Sequence, residues 1–237
     1  MDTLSFDHLV LMLRDRLVAL APSFEDDGYC LTDLATHNLG SMNRLIMLRD
    51  NYIELMGWPQ GQPPARKDIA DSPAGLDALV FRSTDALQTY EHLKRGQFDV
   101  KPVTHLERPI VIDGKSHVVS FRTVHFATQP IPGFRVYFCQ HLTPEYVWMD
   151  RFMRHANGAR ALDAIRIRAA QPEAVAQTLA GLAQASMQVM ENQACRVVLP
   201  NLGIDVVPGG VLAKASIEAA TLADDQGRRW LFDARLH

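Results

Sequence analysis

The chain has 237 residues, of which 47% are hydrophobic and 22% are charged, and its formal net charge at pH 7 is -3. This composition is typical of a globular protein with a real core and excludes a disordered chain. A weakly acidic chain has no general attraction for phosphate backbones or anionic lipid, so we expect neither nucleic acid nor a membrane as a partner.

The start of the chain and the cysteines both favour a cytoplasmic location. Acidic Asp2 and Asp7 stand where a secretory signal peptide has a basic region before an apolar run. The cysteines, Cys30, Cys139 and Cys195, are odd in number and widely spaced. We therefore expect reduced thiols in a cytoplasmic protein rather than disulfides or a structural zinc site.

One short motif occurs three times, with an aspartate between an apolar residue and a small residue or histidine. Its aspartates are Asp7, Asp77 and Asp163. Each motif is predicted to be a strand that leads into a segment with helical spacing of apolar residues, at 13–20, 86–98 and 175–182. Strand-like runs broken by turn signals follow each helix, so a βαβββ unit recurs.

These units predict an α+β protein, with repeated βαβββ modules forming half-open curved sheets and helices on the outer face. The first module is expected at residues 1–58, the second at 75–150, and a third, partly diverged one at 159–237. Residues 59–74 are rich in proline and are predicted to be a linker. Because the third module has no partner module in the chain, we expect it to pack against the first two or to form a homodimer.

The later strands of each module are predicted from apolar runs between turn signals. They are expected at 29–37, 44–48 and 52–58 in the first module, at 103–112, 117–128 and 134–142 in the second, and at 195–199, 204–207, 214–222 and 229–233 in the third.

The duplicated βαβββ order resembles the vicinal oxygen chelate fold, in which two modules curl into one half-open barrel around a metal or ligand. Within this superfamily, the chain is similar to the glyoxalase-like domain family. Four segments carry the similarity: FDHLV at 6–10, HNLGSMNRLI at 37–46, YIEL at 52–55 and HANGA at 155–159.

The resemblance implies a site on the concave face, near the middle of the first and fourth strands of each module. The residues at these positions are His8, Glu54, Ala78 and Gln140. His8 and Glu54 are suitable ligands for zinc, nickel, iron or manganese. Ala78 cannot bind a metal, and the carboxamide of Gln140 is a weak donor. Taken alone, a histidine on an apolar strand is also typical of a structural residue.

A third metal ligand would have to come from another histidine, His37 or His141. A register shift of one residue decides whether Gln140 or His141 faces inward, so both alternatives stay open. Our predicted metal ligands are His8, Glu54 and His141. The predicted cofactor is one divalent ion, and otherwise none.

We predict catalytic roles for Glu54 and His37, because a carboxylate in a buried strand is costly unless it is paired or coordinating. Asn43, Arg44 and Gln140 are predicted to bind substrate, since guanidinium and amide groups recognise carboxylate and carbonyl oxygens. Asn43 and Arg44 could equally cap a strand end.

Two functions follow from this pattern. The first is a metal-dependent enzyme that acts on a small oxygen-bearing metabolite, by lyase, isomerase, hydrolase or dioxygenase chemistry. The second is a metal-free protein that binds or sequesters a small molecule on the same concave sheet. The metal content of the purified protein discriminates between them.

Overall fold

The computed structural model describes residues 3–37, 40–211 and 213–235. These residues contain fourteen β-strands in two sheets and four α-helices. Asn38 and Leu39, in the predicted loop of the second motif, lie outside the described residues. No helix within the described ranges has the length and apolar character needed to cross a bilayer.

The first two modules together form an eight-stranded sheet. Module one consists of β1 (Phe6–Arg14), α1 (Leu17–Asp26), β2 (Ala35–Thr36), β3 (Met42–Met47) and β4 (Tyr52–Gly57). A short helix, α2 (Lys67–Ala70), precedes module two, which consists of β5 (Gly75–Arg82), α3 (Ala86–Arg95), β6 (Thr104–Ile112), β7 (Lys115–His125) and β8 (Arg135–His141). The strand order is β2-β3-β4-β1-β5-β8-β7-β6.

The two modules meet at the antiparallel pair β1 and β5 in the middle of this sheet. In each module the first strand also pairs in parallel with the last one, β1 with β4 and β5 with β8. The sheet is curved, and its two edges approach each other. One cleft is therefore lined both by residues 32–36, around β2, and by residues 108–111 of β6. The predicted α+β fold of repeated βαβββ modules in a curved sheet is therefore confirmed.

Strand alternation divides the side chains of this sheet between two environments. The outer face carries Leu9, Ile53 and Leu79, which join one hydrophobic core with α1, α3, α4 and the second sheet. The inner face carries His8 and Glu54. The helices α1, α3 and α4 thus support the outer face, whereas Ile69 of α2 lines the cavity on the concave face.

The third module and the remaining strands form a six-stranded sheet. It contains β9 (Ala161–Ala169), α4 (Pro172–Ala183), β10 (Ser186–Val189), β11 (Cys195–Val198), β12 (Gly203–Pro208), β13 (Ser216–Ala223) and β14 (Arg229–Leu231). The order is β10-β11-β12-β9-β13-β14, and three short 3-10 helices lie at Pro144–Tyr146, Asp150–Phe152 and Glu191–Gln193.

The strands of the third module differ from those predicted. The prediction missed β10, whose residues are largely exposed and form no apolar run. With β10 included, the module is β9, α4, β10, β11 and β12, and the run at 214–222 is not its last strand. That run forms β13, which pairs antiparallel with β9 as β5 does with β1. The third module therefore has a pairing strand within the chain.

Two boundaries in the first module also differ. The predicted strand at 29–37 is reduced to Ala35–Thr36, since only these residues pair as a strand with β3. The helix expected at 13–20 begins at Leu17, because β1 continues to Arg14.

Candidate active site

The concave face of the eight-stranded sheet encloses a cavity of about 830 Å³, a volume that includes its open mouth. Four polar side chains from different strands line its floor: His8 from β1, Asn43 from β3, Glu54 from β4 and Tyr137 from β8. Because alternate residues share a face, these strands present them together.

His8 is held on several sides. Its Nδ1 lies 2.7 Å from Oδ2 of Asp7, and its Nε2 lies 3.0 Å from the Tyr137 hydroxyl. Nε2 also lies 3.5 Å from Oε2 of Glu54. The imidazole stacks on the ring of Tyr52, with 4.4 Å between the ring centroids. The sequence-predicted pair His8 and Glu54 therefore does meet in one cavity.

Glu54 is a buried carboxylate with few partners. Its Oε1 accepts a hydrogen bond of 2.6 Å from Nδ2 of Asn43, and His8 is its only salt-bridge partner among the described residues. Burial raises the pKa of Glu54, but the bonds and charge of His8, with the Asn43 bond, lower it to about 2. Glu54 is thus ionised at neutral pH.

His8 lies between two carboxylates, Asp7 and Glu54. Burial lowers the pKa of His8, but hydrogen bonds to Asp7 and Glu54 outweigh it and raise the pKa above its usual value. The space between the two carboxylates therefore favours a positive charge, supplied by a proton on His8 or by a bound cation.

Asp7 is fully buried and accepts hydrogen bonds from three groups. Its oxygens lie 2.7 Å from Nδ1 of His8, 2.9 Å from Nε2 of His141 and 2.8 Å from Nε of Arg82. Burial raises the pKa of Asp7, but the charges and bonds of the two histidines hold it well below its usual range. The sequence analysis treated Asp7 as a repeat marker and as an acidic residue near the start of the chain, and it missed this role.

The strand register places His141 and Gln140 on opposite faces of β8. His141 lies on the inner side, where it bonds to Asp7 and its Nδ1 is buried without a partner among the described residues. Gln140 accepts from the backbone N–H of Ala86 and donates to the carbonyl of Thr84, at 3.0 and 2.9 Å. Gln140 therefore holds the start of α3 and does not line the central cavity.

The other residues predicted for the site do not all reach the cavity. His37 lines the cavity, and burial lowers its pKa, so its imidazole is neutral at pH 7. Arg44 faces the opposite side of β3, where it donates to the carbonyl of Thr32 and to Glu25, both at 2.8 Å. Asn43 reaches the cavity, whereas Arg44 does not.

No local sequence pattern predicts the basic wall of the cavity. Arg66, Arg108, Arg135 and His125 all line it, although they come from distant parts of the chain. Only the curvature of the sheet brings β6, β7 and β8 around the same space as β3 and β4. The wall therefore carries positive charge, and Glu54 is the one carboxylate in the described lining of the cavity.

The donors at the floor fit a divalent cation. Two metal bonds of about 2.1 Å at common angles separate their donor atoms by roughly 3 to 3.5 Å. The Nε2 of His8 and the Oε2 of Glu54, at 3.5 Å, fall at the upper end of that range. Asp7 behind His8 supplies the carboxylate–histidine support seen in metal sites. The Tyr137 hydroxyl is a third, weaker donor.

A second cluster offers ligand atoms as well. Asp7, Cys139 and His141 present donors that lie within 4.8 Å of one another. The oxygens of Asp7 are already bonded to His8 and Arg82. Burial raises the pKa of Cys139 well above its usual value, so a cation would have to displace the thiol proton to bind there. This cluster fits a cation less well than His8 and Glu54 do.

Comparison with known proteins supports the fold assignment. A family model described as a glyoxalase-like domain matches residues 6–183. A crystal structure of a hypothetical protein from Staphylococcus aureus is similar, with a TM-score of 0.72 and 14% identity over 97% of this chain and 99% of that chain. No curated protein matches the sequence significantly.

Two enzyme structures are also similar in fold. One is a mutant of 4-hydroxymandelate synthase from Streptomyces coelicolor, with a TM-score of 0.50 and 12% identity over 88% of this chain and 63% of that chain. The other is a fusion of a xylose isomerase-like TIM barrel with 4-hydroxyphenylpyruvate dioxygenase, with a TM-score of 0.52 and 12% identity over 94% of this chain and 36% of that chain. At this identity, the likeness shows the fold alone. The fold and the family match over residues 6–183 together show that the chain belongs to the glyoxalase-like domain family.

Proposed function

We propose that the chain is an enzyme that acts on a small metabolite with a divalent cation held by His8 and Glu54. The observation that carries this proposal concerns Glu54, a buried carboxylate whose only salt-bridge partner among the described residues is a titratable histidine. A buried carboxylate calls for a compensating charge. A divalent ion between Nε2 of His8 and Oε2 of Glu54 would supply it.

The residues around this position have distinct roles in the proposal. A bound cation would act as a Lewis acid toward a substrate oxygen. Asp7 fixes the ring of His8, and Asn43 fixes the carboxylate of Glu54. Neutral His37, on the same cavity, is the candidate base that accepts a proton from the substrate.

The donor set favours proton-transfer chemistry, as in a lyase or isomerase. Non-haem iron dioxygenases use two histidines and one carboxylate on one face of the metal. Among the described residues, no third histidine, cysteine or carboxylate comes within 4.8 Å of both His8 and Glu54. One structure of similar fold includes 4-hydroxyphenylpyruvate dioxygenase, so dioxygenase chemistry is the alternative.

Elemental analysis tests the metal proposal. Protein is expressed in medium supplemented with zinc, nickel, iron and manganese and purified without chelators. We expect close to one divalent ion per chain in the wild type and loss of that ion in His8→Gln and Glu54→Gln. Solvent-facing His105→Gln and Glu107→Gln are matched controls and should keep it.

A metal-free binding protein is the second candidate. Ala78, at one of the ligand positions that the family resemblance implies, cannot bind a metal, which favours this candidate. The raised pKa of His8 also favours it, because a protonated His8 can balance the charge of Glu54 without a metal. Metal-free wild type after supplemented expression would contradict the metalloenzyme and support this candidate. Equal metal content in wild type and Glu54→Gln would place the ion elsewhere.

A further inference from the structure

Arg108 stands out among the cationic side chains of the cavity. It lies on β6, and strand alternation turns it toward the cavity together with Leu106, while Glu107 faces solvent. No described residue gives its guanidinium a hydrogen bond or an ion pair. Burial lowers the pKa of Arg108, although Tyr52 and Glu54 oppose that effect. Arg108 is only partly buried, so a ligand in the cavity can reach its guanidinium.

The other two arginines of the cavity already have carboxylate partners. Arg66 donates to Asp68 at 2.5 Å, and Nε of Arg135 donates to Asp77 at 2.8 Å. Their charges are therefore balanced within the chain. Arg108 carries the one arginine charge in the described lining that is free to meet an anion.

The rest of the wall defines the other part of a ligand. Apolar side chains surround the space between Arg108 and the floor: Leu45, Met56, Ile69, Leu106, Phe121 and Val147. Such a lining is suited to a carbon body rather than to a second charged group.

We propose that Arg108 binds the carboxylate of a small amphipathic acid, with its carbon body on Leu106 and Phe121 and its reacting end toward His8 and Glu54. A guanidinium offers a planar fork that matches a carboxylate with two parallel hydrogen bonds. One unpaired guanidinium balances one negative charge, which favours a monocarboxylate over a phosphate dianion. The orientation of the ligand's reacting end toward His8 and Glu54 rests on the proposed function. The carboxylate site depends only on Arg108.

Matched pairs of probes test this site. Acetate, hexanoate and phenylacetate are each compared with the neutral carboxamide of the same shape, by titration calorimetry on protein treated with EDTA. We expect at least one carboxylate to bind on the order of tenfold more tightly than its carboxamide, because a hydrogen bond to a charged group contributes more than a neutral one. The chelator makes the result independent of any metal.

Variants of Arg108 test whether its guanidinium is responsible for the preference for a carboxylate over its carboxamide. Arg108→Ala and Arg108→Gln should abolish the preference for the carboxylate, and Arg108→Lys should keep part of it. Arg122→Ala is the control, since Arg122 is exposed on the opposite face of the neighbouring strand β7. Because Arg108 has no hydrogen-bond or salt-bridge partner among the described residues, we expect both neutral variants to melt close to the wild type.

Two results would overturn the proposal. One is that none of the three carboxylates binds more tightly than its carboxamide. The other is that the preference survives in folded Arg108→Ala and Arg108→Gln. Neither result alters the metal content of the protein, and loss of metal in Glu54→Gln does not alter the calorimetry of chelated protein. The two proposals therefore fail separately.

Discussion

The Nδ1 of His8 lies 2.7 Å from Oδ2 of Asp7, although adjacent residues of a strand normally point to opposite faces. The pairing of β1 with β5 shifts its register between Phe6 and His8, so the strand is irregular at this point. Such an irregularity redirects a side chain. It lets Asp7 support His8 from behind while His8 faces Glu54.

Replacing Asp7 by asparagine should destabilise the protein strongly. The variant leaves His8, His141 and Arg82 without their shared carboxylate, and breaking a buried charge pair costs roughly 3 kcal/mol. Urea denaturation measures the change in the free energy of unfolding. Asp163→Asn is the matched control.

Asp163 occupies the same motif position in the third module, and its partner Arg229 is 66% exposed. An exposed pair contributes about 1 kcal/mol or less. A similar loss of stability in Asp7→Asn and Asp163→Asn would contradict the role of Asp7 as the shared partner of three cationic side chains.

Gln140→Ala should lower stability without changing either binding property. Its side chain bonds to the backbone of Ala86 and Thr84 at the start of α3, and loss of such bonds costs about 1 kcal/mol. Metal content and carboxylate binding should match those of the wild type. Loss of ligand binding at unchanged stability would instead support the substrate-binding role predicted from the sequence.

His125 should make the protein sensitive to acid. Burial lowers its pKa from 6.5 to about 3, with further lowering by Arg66 and Arg135 and an opposing effect of Asp68. In the unfolded chain the imidazole takes up a proton near pH 6.5, so stability falls as the pH drops from there toward 3.

His125→Gln removes this proton uptake. Its free energy of unfolding should therefore decline less steeply than that of the wild type between pH 6.5 and pH 4, as urea titrations at several pH values can show. Parallel curves for the two proteins would mean that His125 titrates normally in the folded state.

The repeated aspartates show how far the sequence predicts the structure. Their motif located β1, β5 and β9, because a strand needs only a local apolar pattern. In the structure each aspartate also forms a salt bridge with an arginine. In chain order, these arginines are Arg82, Arg135 and Arg229, which lie 75, 58 and 66 residues after their partners. No local pattern specifies pairs at such separations.

The same limit explains the candidate site. His8 and Glu54 could be predicted because both lie in segments that resemble the glyoxalase-like domain family. Arg108 could not, since its approach to the floor depends on the curvature that brings β6 around to β3. Formation of a homodimer, the cytoplasmic location and the exclusion of nucleic acid as a partner stay predictions.

The position of the bound ion tests the central claim most directly. Crystals grown with manganese or zinc, and measured at the absorption edge of that metal, locate the ion by anomalous scattering. We predict a peak about 2.0 to 2.2 Å from both Nε2 of His8 and a carboxylate oxygen of Glu54. A peak at Asp7, Cys139 and His141, or none beside His8 and Glu54, would contradict this account.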